Sequence, residues 1–160
     1  MTASIKVSAA IKMDTSKYKG LYLQEVAEHL SGIETGLLAL EKNQSDTSTV
    51  DDLFRHYHSV KGMSASMGYE PIKRFAHAQE DLLDRIRSKC VNPSIAITGI
   101  LLECLDGLKT LVSKVSDDKP LDLDIEPFIA KIGAAVASAE PQTRPSDVTR
   151  AQPAKPQTPA

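Results

Sequence analysis

The chain has no tryptophan and few aromatics of any kind, 3 phenylalanines and 4 tyrosines in 160 residues. Its core must therefore be built from aliphatic side chains, a composition that suits a helical bundle. Cysteine is scarce as well. Cys90 and Cys104 are too few and too far apart for a disulfide framework or a zinc site, and they read as ordinary thiols. Neither sign of charge dominates: 19 basic against 21 acidic residues leave a net −2. That balance excludes a protein that holds nucleic acid through bulk positive charge. No apolar run approaches the roughly 20 residues needed to cross a bilayer, so no membrane insertion is expected. The first residues carry no continuous apolar stretch after their charges, so no secretory leader is expected and the location is expected to be cytoplasmic. The length fits one domain with loose ends.

What is present is a helical period. Leu23, Val26, Leu30, Ile33, Leu37 and Leu40 draw one apolar stripe along a helix from about Ser16 to Lys42. Asn43-Gln44-Ser45-Asp46 breaks it, and Ser48 or Thr49 is the expected cap of a second helix with the stripe Leu53, Tyr57, Val60, Ser64 and Met67, ending at Gly68. Pro71 opens a third, carrying Ile72, Phe75, Gln79, Leu82 and Ile86. Asn92-Pro93 starts a fourth, with Ile97, Ile100, Leu101, Cys104, Leu105, Leu108, Leu111 and Val115. A shorter fifth runs near Ile125–Ala139 through Ile125, Phe128, Ile129, Ile132 and Val136. Strand alternation is missing throughout. The expected fold is all-α: an antiparallel up-down four-helix bundle over 13–139, with the additional C-terminal helix packed alongside or extending away. Residues 1–12 are expected to be a flexible N-terminus. Residues 140–160 hold five prolines and little that is apolar, and read as a disordered linker leading to further domains of a parent protein.

The second helix contains one segment that a plain core helix does not explain. At about 100° per residue, His58 lies nearly opposite Leu53, Val60 and Met67 and so points away from the bundle centre. Lys61, Gly62 and Ala65 share its face. A mid-helix glycine costs about 1 kcal/mol relative to alanine, and one physical reason to keep it is to let another molecule approach His58. On the third helix His77, Glu80, Asp81 and Asp84 line one polar side. If the second and third helices form an antiparallel hairpin across the Gly68–Pro71 turn, Glu80 can accept a hydrogen bond from one ring nitrogen of His58 and leave the other as a nucleophile. His29 and His56 read as surface or partly packed side chains. Metal sites in bundles repeat Glu-x-x-His on two helices, and without that pattern no metal is expected.

These residues match a known pattern. His58-Ser59-Val60-Lys61-Gly62-Met63-Ser64-Ala65-Ser66-Met67-Gly68 resembles the phosphorylation motif of histidine phosphotransfer (HPt) domains, closest to the N-terminal domain of the CheA class of chemotaxis histidine kinases. His77-Ala78-Gln79-Glu80-Asp81-Leu82-Leu83-Asp84 is similar to that family's second motif, and the resemblance covers about Tyr18 to Val115. It implies that His58 receives a phosphoryl group, that Glu80 orients its imidazole, and that Lys61 and His77 support the site; Gly62 and Ala65, the small residues on the His58 face, are the expected docking positions for a partner. The implied partners are a histidine kinase catalytic domain and a CheY-type response regulator, with the domain itself monomeric. The 8 glycines are scattered and form neither G-x-x-x-x-G-K nor G-x-G-x-x-G. No cofactor is therefore expected in this chain, ATP being bound by a kinase domain elsewhere. Two other functions fit the same features: a relay protein charged by a receiver aspartate, and a non-catalytic helical adaptor.

Overall fold

The computed structural model describes residues 3–139, with side chains from Thr15 onward. Among these residues there are five helices and no strand: α1 (Ala3–Lys42), α2 (Thr47–Ser66), α3 (Glu70–Arg87), α4 (Ile95–Ser116) and α5 (Glu126–Ala139). Helix α1 starts well before Ser16, so the residues expected to be a flexible arm form its first turns. No proline or glycine precedes Gly20, and lengthening an existing helix adds a hydrogen bond per residue without a new nucleus. The Pro-rich stretch at 140–160 lies outside the described residues.

Two starts differ from the sequence expectation. Asp46, not Ser48 or Thr49, caps α2, its carboxylate accepting from the Ser48 and Thr49 backbone N–H groups at 3.1 and 3.2 Å. Both hydroxyls also donate to it, which holds the Asp46 carboxyl down at about 2. A charged oxygen is the stronger acceptor, so the two neighbours serve the cap instead of forming it. Helix α4 is capped by Ser94, whose Oγ accepts from the Ile97 N–H at 3.2 Å, two residues beyond the expected Asn92.

The helices close a ring: α1 packs on α2 and α4, and α3 packs on α2 and α4. This is the four-helix bundle that the stripes specify. Val26, Ile33, Leu37, Leu53, Val60, Ile72, Phe75, Leu82, Leu101 and Leu108 are buried along it. One stripe position shifts. Tyr22 rather than Leu23 enters the core of α1, because its hydroxyl meets Ser64 Oγ at 2.9 Å on α2, and burial pushes its phenol up to about 12. Met67 and Ile100 are only half-buried. The fifth helix lies across α3 and α4. Phe128 meets Phe75 with ring centroids 5.3 Å apart, and Lys131 reaches Glu103 at 2.6 Å. None of the described helices is long and apolar enough to cross a membrane.

For function, the α2–α3 connection matters most. Gly68 adopts φ 74°, and the Gly68 and Tyr69 N–H groups close the α2 end on the carbonyls of Ala65 and Ser64 at 3.1 and 2.9 Å. A left-handed residue at this point favours glycine, and it ends the helix abruptly. Pro71, in the first turn of α3, needs no donor there. The turn is thus only Met67 to Tyr69. His58 stands ten residues before Gly68 and Glu80 eleven after Tyr69, so an antiparallel hairpin brings them to the same height.

Candidate functional site

At that height the two side chains meet: His58 Nδ1 lies 3.0 Å from Glu80 Oε1. Glu80 is nearly enclosed, with 8% of its side chain exposed, whereas His58 is 63% exposed. The second carboxylate oxygen, Oε2, faces Lys61 Nζ at 2.8 Å, an ion pair whose angles fall short of a hydrogen bond. Burial alone would raise the Glu80 carboxyl. Lys61 and His58 outweigh it and leave the group below the usual carboxylate range, hence ionised at neutral pH.

That charge decides the tautomer of His58. An ionised carboxylate can only accept, so Nδ1 must carry the ring proton and donate it. In the neutral ring Nε2 then holds the free lone pair, on the edge away from Glu80. A nucleophilic nitrogen on an exposed ring, with its other nitrogen tied to a buried anion, is the arrangement that carboxylates hydrogen-bonded to a histidine ring impose elsewhere.

The other residues singled out from the sequence divide into two groups. Lys61 joins the cluster, but its ammonium is turned to Glu80 and its side chain is three-quarters covered, so it balances the carboxylate before it meets any incoming charge. Gly62 and Ala65 are exposed on α2, one and two turns past His58. A Cβ at Gly62 would meet nothing within 4 Å, so nothing inside the bundle requires the glycine. His77 is exposed one turn before Glu80, and its Nε2 faces Asp81 at 3.4 Å rather than His58. Asp84 faces Arg87. His29 and His56 form a half-buried pair of their own between α1 and α2, Nδ1 to Nδ1 at 3.0 Å. Burial, and then the neighbouring His29, lower the His56 pKa.

Two residues at the site are additions. Phe54, one turn before His58, lies nearly parallel to the imidazole, and Arg87 covers a face of Phe54. Their spacing carried the information. Residue 54 is four before 58, and residue 87 is seven after 80, both on the face of the site residue they accompany.

Comparison with known proteins decides the family. Residues 17–117 match the family model described as Hpt domain. The chain belongs to the Hpt domain family. This Hpt domain is 38% identical over 128 residues to the chemotaxis protein CheA of Bacillus subtilis, a match covering 80% of the chain and 19% of that protein. It is 32% identical over 120 residues to CheA of Listeria monocytogenes, covering 75% and 19%. The chain spans about a fifth of the length of these curated relatives. Among solved structures, the histidine phosphotransfer domain of CheA superposes with a TM-score of 0.71 at 25% identity, over 82% of this chain and 98% of that one. The phosphorylated P1 domain of CheA3 from R. sphaeroides, in complex with CheY6, gives 0.69 at 26% identity over 78% and 98%.

Proposed function

We propose that this Hpt domain carries a phosphoryl group on His58 between a histidine kinase catalytic domain and a CheY-type response regulator in the cytoplasm. The observation that carries the reading is the His58 Nδ1–Glu80 pair, which leaves the free lone pair on Nε2 of a largely exposed side chain. The Nε2 lone pair attacks the γ-phosphorus of ATP held by the kinase domain, the bond from that phosphorus to the β-bridging oxygen breaks, and ADP leaves. The new N–P bond makes the ring cationic, and that charge is shared with the Nδ1–H that points at ionised Glu80. In the second transfer an aspartate oxygen of the regulator attacks phosphorus, the N–P bond breaks, and His58 returns to its neutral form with Nδ1 still protonated.

ATP contacts the kinase domain and needs no binding loop in this chain. Lys61 keeps Glu80 ionised through both transfers, and the CheY-type partner is supported by the solved complex of the related P1 domain with CheY6. The test is incubation with a CheA-type kinase catalytic domain and labelled ATP, followed by acid and base treatment and site mapping. The expected label is acid-labile, base-stable and located on His58, and it is lost to a CheY-type regulator on mixing. An acid-stable label, or one on His56 or His77, contradicts the reading.

A further inference from the structure

His58 is anchored by a single hydrogen bond at one edge of its ring. One such bond sets a distance and does not fix both side-chain torsions. The imidazole can still tilt through coupled changes of its two side-chain torsions that keep Nδ1 near Oε1, and tilting moves Nε2. What limits the tilt is the residue one turn earlier. A helical side chain leans toward the N-terminus of its helix, so the ring of residue 58 lies over the turn that carries residue 54. Phe54 is half-buried there, and its ring runs at 18° to the imidazole plane with centroids 6.1 Å apart. That separation falls within the roughly 4.5–7 Å range of offset aromatic pairs. Phe54 is itself braced. The guanidinium carbon of Arg87 stands 3.9 Å from its ring centroid, and Arg87 Nη2 donates to Asp84 Oδ1 at 2.8 Å. Helix α3 thus acts on the imidazole twice, directly through Glu80 and indirectly through Arg87 and Phe54.

We infer that Phe54, braced by Arg87, is a positioning residue that sets the plane of the His58 imidazole and so aims Nε2 along the line of attack. The inference rests on reading His58 as the phosphoryl acceptor. A residue that merely fills the seam between α2 and α3 needs apolar volume; one that sets a plane needs a flat ring. Phe54→Leu and Phe54→Tyr separate the two, since leucine keeps the apolar bulk and tyrosine keeps the ring.

Phosphorylation by a CheA-type kinase catalytic domain is followed at varied concentrations of each variant. Phe54→Leu is expected to lower kcat about three- to tenfold, the worth of an aromatic pair, with KM for the domain within about twofold of the wild type. Phe54→Tyr is expected to restore kcat. Arg87→Met, which leaves the core untouched, is expected to lower kcat in the same direction by a smaller factor. It keeps the test open should the leucine variant fold poorly. A Phe54→Leu chain that turns over like wild type, a tyrosine variant no better than leucine, or a loss confined to KM overturns the inference. A wild-type domain that takes no label overturns the acceptor reading itself, so the two failures are distinct.

Discussion

Gly62 offers the sharpest separation of stability from function. It sits inside α2, where glycine costs about 1 kcal/mol relative to alanine and nearly as much relative to glutamine. A clash would offset that gain, but a Cβ there meets nothing within 4 Å, and the position is exposed. Gly62→Gln should therefore stabilise the domain by about 0.5–1 kcal/mol, raising the melting temperature by about 3 °C. The same side chain leans back toward His58, one turn earlier on the same face, and stands where a protein partner must approach Nε2. Displacing a reacting pair by even 1 Å can cost about 10²-fold. Transfer from the kinase domain and to the regulator should both fall by about tenfold or more, while labelling by phosphoramidate, a donor small enough to pass the new side chain, stays within about twofold of wild type. Calorimetry and the three transfer rates are measured on one preparation. Wild-type transfer with both protein partners would refute the claim that the glycine keeps this face open. A fall in melting temperature would refute the absence of an internal role.

Three further outcomes follow from the geometry. Gly107→Ala should behave in the opposite way to Gly62, because its Cβ would lie 2.7 Å from Phe75 Cε1 in the core; overpacking of this kind costs about 1–3 kcal/mol, read as a lower urea midpoint, and an unchanged midpoint would show that the ring yields. Glu80→Ala should fold yet phosphorylate about three- to tenfold more slowly, less than a fully buried charged hydrogen bond would cost because His58 is 63% exposed; an unchanged rate, with the imidazole tautomer unchanged in nitrogen NMR, would reduce Glu80 to a bystander. His56, whose pKa is lowered chiefly by burial and then by His29, should make stability depend on pH. The unfolded chain takes up this proton near pH 6.5 and the folded one only lower, so stability is full above about 6.5 and falls as pH drops toward the folded pKa. Urea midpoints at pH 7.5 and 5.5 check it, and His56→Gln should lose part of the difference.

The bundle and the His58–Glu80 pair were legible in the sequence for a specific reason. Stripes at spacings of three and four fix which face of each helix is buried, and a short turn at Gly68 fixes the height at which α2 and α3 residues meet. Both are one-dimensional facts. Features that depend on how far helices stand apart were not legible. Gly32 and Gly36 let α1 come close enough for a Cβ at either position to strike His56 or Leu53, at 2.5 and 2.7 Å. As letters in the sequence they were scattered glycines. The His29–His56 contact rests on that same approach. Tyr22 displaced Leu23 because a polar partner, Ser64, waited inside the bundle, which periodicity does not encode. Spacing alone put Phe54 and Arg87 on the faces of His58 and Glu80, but that they touch depends on side-chain lean and rotamer, beyond the reach of a face assignment.

The central claim is that Glu80 takes the Nδ1 proton of His58 as a hydrogen bond and so leaves Nε2 as the nucleophile. The most direct measurement is nitrogen–proton NMR of the domain labelled with 15N-histidine, before and after phosphorylation by the kinase domain. The free domain should show His58 protonated at Nδ1, and the phosphorylated domain should show phosphorus bonded to Nε2 with Nδ1 still carrying its proton. Phosphorus on Nδ1, or an Nε2–H tautomer in the free domain, would contradict the account.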